Sequence, residues 1–283
     1  MRQLPNESID LVVTSPPYNL GIKYSVYDDR RRWDEYLRWS LVWIREVRRV
    51  LKADGSFFLN LGACPSNPLL PHELMVALKD TFILQNTLHW IKSITIRTRA
   101  GAEVSAGHFK PIRSKRYVND CHEYVFHLTR TGSTLVDRLG VGVAYMDKSN
   151  IARWGHTRGR DLRCRGNNWF IPYETICRRA TDRPHPATFP VALAAHCIRL
   201  HGHCSKLVMM DPFLGIGHAA LAAKECRVKE FIGFEIDRDY LQVAQMALQA
   251  SGSTGAARPP RRHLKARKVD SDQPFFPEIG GDS

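Results

Sequence analysis

No stretch of the 283 residues approaches the ~18 consecutive apolar side chains of a membrane span, and no secretory signal segment opens the chain. An integral membrane helix is therefore not expected. Paired cysteines are also lacking. The seven present are an odd number without C-x-x-C spacing, which argues against a disulfide framework and for reduced thiols in a cytoplasm. His201-Gly202-His203-Cys204 carries metal-ligating side chains, but no second ligand cluster accompanies it. It reads as a polar loop at a helix end, and no metal is expected. Acidic residues are in short supply, 28 Asp and Glu against 41 Lys and Arg, and no internal repeat is present.

The resulting net charge of +13 is unevenly placed. Residues 130–183 hold 11 Lys and Arg against 5 Asp and Glu, a net of +6; residues 93–120 hold 6 against 2, a net of +4. Solubility alone is the bland reading of such a surplus. Gathered in two segments outside the sheet elements, it also suits a phosphate backbone. Arg outnumbers Lys in both segments, and its planar fork matches phosphates and guanine edges.

Apolar residues make up 43% of the chain, enough for an ample core at this length. Leu11, Val12 and Val13 read as a buried strand that runs into Ser15, Pro16, Pro17 and Tyr18 without a spacer. Prolines cannot pair in a central strand, so the chain must stop and turn rigidly there, fixing a hydroxyl and an aromatic ring at the strand's carboxyl end. Leu37, Leu41, Ile44, Val47 and Leu51 recur at helical spacing over 34–51, with Arg45, Arg48 and Arg49 where cations suit the helix dipole. Asp54-Gly55 reads as a turn before a strand at 56–62. Pro-rich 65–71 introduces a helix through about Lys79, and strands follow at 82–91 and 122–130. Residues 131–183 show weak periodicity and read as a loop-rich insert. A helix over 189–202, a strand at 206–210, a helix from Ala219, a strand at 230–235 and a helix at 238–250 complete the pattern. Strands alternating with helices imply an α/β fold, a doubly wound, mostly parallel sheet. The tail from Ser251 lacks a core pattern and is expected to be disordered.

The strand at 206–210 leads into Asp211-Pro212-Phe213, then Gly215-x-Gly217, then a helix. Glycines there let backbone approach a ligand at a helix N-terminus. Glu235 closes the next strand 18 residues after Gly217, where a carboxylate can accept from ribose hydroxyls. Tight turns use such glycines everywhere, so the signal is the whole strand–loop–helix–strand–Glu order. His218-Ala219 follow the glycines, so the G-K-[ST] of a phosphate-binding loop is missing. Ala220 in place of a third glycine would still allow a dinucleotide, but no hydride-handling site accompanies it.

Taken together, TSPPY (14–18), RPHPATFP (183–190) and DPFLGIGH (211–218) resemble the amino-methylating (N4-cytosine/N6-adenine) DNA methyltransferases of permuted, β-type motif order. GNNWFIP (166–172) and HEYVFHLTR (122–130) are similar to segments of that family, and the likeness spans roughly residues 4–250. The resemblance implies a methyltransferase-type sheet divided into a catalytic half at 1–129, a basic target-recognition insert at 130–183 and a cofactor half at 184–250; the basic tail at 251–283 is not a feature of that family. It implies methyl transfer from S-adenosylmethionine to a base flipped out of double-stranded DNA, with Ser15, Pro16, Pro17 and Tyr18 at the reacting amine. Asp211, Phe213, Gly215, Gly217 and Glu235 would hold the cofactor, and Thr188 its methionine end. Arg153, Arg158, Arg160, Arg163 and Arg165 are the candidate DNA contacts of the insert. A prokaryotic cytoplasmic enzyme, held at the nucleoid by its DNA, is the setting implied; a cognate restriction enzyme is a partner the family allows and the sequence alone does not decide.

Ser before PPY favours N4 of cytosine over N6 of adenine, which stays the nearest alternative. Protein glutamine methylation goes with N-PPY and a different motif order. An inactive DNA-binding remnant is the non-enzymatic alternative, because two of the chain's departures from the family, beside its basic tail, bear on the cofactor. Gly215-Ile216-Gly217-His218-Ala219 replaces the usual G-S-G-T-T and loses hydroxyls. The residues before Asp10 also leave no room for a further strand that usually ends in an acidic group near the adenine, so weak cofactor affinity is expected, tightened by native upstream sequence.

Overall fold

The computed structural model describes residues 1–22, 24–65, 67–98, 101–107, 114–149, 151, 153, 155, 159–172 and 188–253. The tail expected to be disordered lies outside these residues from 254 onward.

Among the described residues, seven strands form one sheet: β1 (Ile9–Thr14), β2 (Leu51–Leu61), β3 (Ile83–Ile91), β6 (His122–Thr129), β7 (Asn168–Phe170), β8 (Val208–Asp211) and β9 (Glu230–Gly233). Their order across the sheet is β7-β3-β6-β2-β1-β8-β9, and a separate hairpin joins β4 (Ser93–Arg97) to β5 (Glu103–Gly107). β1 pairs in parallel with β2 and β8, β8 with β9, and β3 with β7. β6 runs antiparallel to both β2 and β3, the one such strand among those described in the sheet. The sheet is therefore mostly parallel, as the alternation of elements implied, with one reversed strand that apolar content could not reveal.

The helices are α1 (Trp33–Val50), α2 (Leu70–Ala77), α3 (Val191–His201), α4 (His218–Glu225) and α5 (Arg238–Ser253). Tyr36, Ile44, Val47 and Leu74 bury the faces of α1 and α2 against one side of the sheet, with Val12, Phe57 and Met210. Leu193, Ile198, Ala219 and Ala222 bury α3 and α4 against the other side, with Leu11, Val13 and Phe58. Strict alternation along β1 would put Ile9 with Leu11 and Val13. A register irregularity between Ile9 and Leu11 sends Ile9 to the α1 side instead. The turn expected at Asp54-Gly55 is absent. α1 hands directly to β2 at Leu51, and those residues form the irregular start of the strand, opposite the same irregularity in β1.

The chain leaves β1 for α1 on one face and leaves β8 for α4 on the other. Adjacent parallel strands whose connections part in this way open a crevice at their carboxyl ends, the usual ligand position in such sheets. Within the segment read as an insert, Asn168–Phe170 is a strand of the main sheet. Trp169 is buried beside its partner Trp90, whose indole N–H donates to the Ile171 carbonyl at 2.7 Å.

Candidate active site

Topology gathers the site before any side chain is considered. β1, β2, β3, β8 and β9 all point their carboxyl ends toward one edge, and the reversed β6 brings its amino end there. Ser15, Lys92, Asp211 and Glu235 follow or end strands at this edge, and Glu123 stands near the start of β6.

The Ser15 hydroxyl lies 2.6 Å from the Tyr18 hydroxyl, which in turn lies 3.1 Å from Glu123 Oε2. Asn60 Nδ2 donates to the same carboxylate oxygen at 3.0 Å, and Lys92 Nζ pairs with Oε1 at 2.5 Å. Pro16 is buried, and the Pro17 carbonyl accepts from the buried Tyr36 of α1 at 2.9 Å. The two prolines and this tether hold the hydroxyl and the ring in place. The loop that follows is folded around a carboxylate. Buried Asp29 accepts the N–H groups of Asn19, Leu20 and Ile22 at 2.8–3.0 Å, and burial raises its pKa despite these bonds. Ser25 donates to Asp237 at the start of α5, so the loop spans from the end of β1 to α5.

At the ends of β8 and β9, Gly215 N–H donates to Glu235 Oε2 at 2.7 Å, while Glu235 Oε1 accepts Ile236 N–H and Asp237 N–H, each at 2.9 Å. Three of the roughly four acceptor positions of that carboxylate are thus occupied by backbone, and about one remains for a ligand. Gly217 has φ +90°, and a Cβ there would stand 2.8 Å from that of Ala244. A close α4–α5 approach therefore also demands this glycine. The Phe213 ring packs on Trp39 and Trp43 of α1, with ring centroids 5.7 and 5.0 Å away, anchoring the loop to α1. Asp211 is buried, with Oδ1 accepting the Thr14 hydroxyl at 2.5 Å and the Phe213 N–H at 2.9 Å. Burial, aided by the Glu235 charge, pushes its pKa up to about 7. Its Oδ2 has no partner among the described residues. His218, the departure from a hydroxyl at that position, places Nδ1 2.5 Å from the Phe189 carbonyl. A carbonyl only accepts, so Nδ1 carries the proton, and the bond ties the segment beginning at Thr188 to the glycine loop.

Of the five arginines, Arg153, Arg160 and Arg163 are exposed. Arg165 is half-buried, and its Nε donates to the Val141 carbonyl at 2.9 Å. Arg158 lies outside the described residues. Sequence reasoning missed Glu123, Lys92, Asn60, Asp29 and Asp237. An acidic residue opening an apolar strand, as in HEYVFHLT, was the one available signal for Glu123. Among the described residues, no group of three His, Cys, Asp or Glu side chains is arranged to hold a metal, and no helix is long and apolar enough to cross a membrane. His201 of the HGHC run has Nδ1 2.9 Å from the Ser56 hydroxyl.

Comparison with known proteins agrees with this architecture. A Type II methyltransferase of Streptomyces caespitosus, M.ScaI, is 28% identical over 270 residues, covering 90% of this chain and 79% of its own length. The cytosine-N4-specific PvuII DNA methyltransferase superposes with a TM-score of 0.61 at 21% identity, covering 86% of this chain and 80% of its own. TTHA0409 of Thermus thermophilus, solved with S-adenosyl-L-methionine, superposes with a TM-score of 0.57 at 21% identity, covering 91% of this chain and 95% of its own. The N6/N4 family model, described as DNA methylase, matches residues 9–246. The chain therefore belongs to the N6/N4 family of S-adenosylmethionine-dependent DNA methyltransferases.

Proposed function

We propose that the protein methylates the exocyclic N4 amine of a cytosine flipped out of duplex DNA, at a specific site. The observation that carries this reading is the Ser15 hydroxyl, held beside Tyr18 on a proline-locked strand end at the edge that also carries Asp211 and Glu235.

An exocyclic base amine is a poor nucleophile because its lone pair is delocalised into the ring. Accepting hydrogen bonds from that NH₂ at Ser15 Oγ and the Pro16 carbonyl favours a more tetrahedral nitrogen. Tyr18 offers its ring face to the flipped base. Rigid placement supplies the in-line approach that methyl transfer requires. S-adenosylmethionine, when bound, supplies an electrophilic sulfonium methyl. The residues present fit it. Asp211 offers a buried oxygen that has no partner among the described residues, suited to a cationic donor, and Glu235 retains acceptor capacity for a ribose hydroxyl. Phe213, Gly215 and Gly217 shape the loop, and Thr188 stands on the segment that His218 ties to it. The intact Gly215–Glu235 contact argues against a remnant that has lost its cofactor.

The recognition function is assigned to the basic insert of 130–183, carried by its part before Asn168. Exposed Arg153, Arg160 and Arg163 serve as groove or phosphate contacts there, and Arg165 mainly braces Val141. The β4–β5 hairpin adds a second DNA-facing element. It follows β3 directly at the catalytic edge and lies in the basic segment 93–120. N6-adenine methylation is the second reading, since adenine also presents an NH₂ beside a ring nitrogen. Neutral Ser15 in place of an Asp carboxylate favours cytosine. The setting that follows is a prokaryotic cytoplasm, with a cognate restriction enzyme acting on the same site. Ser15→Ala tests the reading: methyl transfer should slow by roughly tenfold or more while calorimetric cofactor affinity stays within about twofold. An unchanged rate removes Ser15 from the reaction.

A further inference from the structure

The catalytic edge holds an acidic group that the motifs did not assign. Glu123 is 105 residues from Tyr18 in sequence, yet its Oε2 lies 3.1 Å from the Tyr18 hydroxyl. Its side chain is 11% exposed and that of Lys92 is 17% exposed, so the pair sits at the rim of the core rather than in open solvent. Buried Asn60 donates to Oε2 at 3.0 Å and to the Tyr124 carbonyl at 3.0 Å, and Lys92 caps Oε1. β2 passes close by. A Cβ at Gly62 would lie 3.0 Å from the Tyr18 ring and 3.2 Å from the Glu123 carboxyl carbon, so a larger residue there would push the two apart.

We propose that Glu123, backed by Lys92 and Asn60, is a positioning residue that sets the donor–acceptor direction of the Ser15–Tyr18 pair and receives the proton that the target amine must lose. This inference rests on the reading of Ser15 as the amine's partner. The direction follows from valence. An ionised carboxylate only accepts, so the single hydroxyl hydrogen of Tyr18 goes to Glu123. Tyr18 oxygen then accepts from Ser15, and the Ser15 hydrogen is turned away from the base. Ser15 is left as an acceptor, which is what an NH₂ group, a donor, requires. Without Glu123, the Ser15 hydrogen is at liberty to rotate toward the amine and oppose it.

The same chain balances the reaction. The nitrogen–carbon bond forms, the carbon–sulfur bond breaks with its electron pair left on sulfur, and the nitrogen gains a positive charge. One N–H bond then breaks with its pair retained by nitrogen. That proton passes to Ser15 as the Ser15 proton passes to Tyr18 and the Tyr18 proton to Glu123. Glu123 is left as the neutral acid and returns its proton to water.

The test uses PCR-amplified plasmid DNA, S-adenosylmethionine and mass-spectrometric quantitation of methylated nucleosides under single turnover. Glu123→Gln and Tyr18→Phe, which keeps the ring, should each lower the rate at saturating DNA by about 10–100-fold. The half-saturating DNA concentration and the calorimetric cofactor affinity should stay within about twofold. Because both act through one chain, the double variant should be no slower than the slower single variant. If Glu123→Gln does not melt cooperatively, Glu123→Asp carries the test. It keeps a charge facing Lys92 but is one methylene too short for Tyr18, and the same slowing is expected. A wild-type rate in the Glu123 variants, factors that multiply in the double variant, or a loss confined to half-saturation would overturn the proposal. Ser15→Ala run in parallel separates the two readings. Slow Ser15→Ala beside fast Glu123 variants overturns only this inference, whereas fast Ser15→Ala overturns the reading of Ser15 as well.

Discussion

Asp211→Asn is the perturbation whose effect can be worked most fully from the structure. Asp211 is buried between β1 and the glycine loop, and desolvation raises its pKa to about 7 against the bonds from Thr14 and Phe213. In the unfolded chain an aspartate titrates near ~3.9. Between those values the native state holds a proton that the unfolded state does not. The stabilisation is therefore complete below about pH 4 and is lost as pH rises through about 7. A gap of about three pH units, at ~1.4 kcal/mol each, bounds the whole effect near 4 kcal/mol, and about 2–3 kcal/mol of it falls between pH 5 and 8. Asparagine keeps the acceptor that Thr14 and Phe213 use and cannot ionise. Its NH₂ replaces an oxygen without a partner among the described residues and carries a fixed cost of about 1–3 kcal/mol, so the difference in slope is the informative quantity. Urea unfolding of both proteins, without cofactor, at pH 5, 6, 7 and 8 measures it. Wild type should lose about 2–3 kcal/mol relative to Asp211→Asn across that range. Parallel stability–pH curves would refute the assignment of a protonated, buried Asp211.

Two further outcomes are expected. Glu235→Ala should weaken S-adenosylmethionine by about 1.5–3 kcal/mol in calorimetry, through one charge-assisted bond to the ligand and the loosened Gly215 N–H; unchanged affinity removes Glu235 from the site. Replacing Arg153, Arg160 and Arg163 together by Ala should lower the salt slope of DNA binding by roughly one unit for each that contacts phosphate, with Arg165→Ala contributing less because it is bonded to Val141; an intact affinity and slope would move the DNA face elsewhere.

The features legible in the sequence were those written in neighbouring residues. A strand that meets Pro16-Pro17 has to stop, and Gly215-x-Gly217 followed by an amphipathic stretch has to turn into a helix. The structure realises both, because local sterics and periodicity decide them. The direction of β6 was not legible, since HEYVFHLT is equally apolar in either direction and only its pairing with β2 and β3 reverses it. That reversal is what brings Glu123 to Tyr18. The β4–β5 hairpin was hidden by its exposure, with Ile94 and Ile96 open to solvent and no buried face to impose a strong alternation. GNNWFIP read as part of an insert because three strand residues are too short to announce themselves. Burial of Trp169 against Trp90 explains why they join the sheet.

The most direct test of amine methylation in DNA is nucleoside mass spectrometry of unmethylated DNA incubated with the protein and S-adenosylmethionine. N4-methylcytosine that depends on the cofactor is the expected product. N6-methyladenine alone would reverse the choice of base while leaving the fold and cofactor as described. Absence of both modified nucleosides, with cofactor binding demonstrated and DNA of varied sequence supplied, would contradict the central claim.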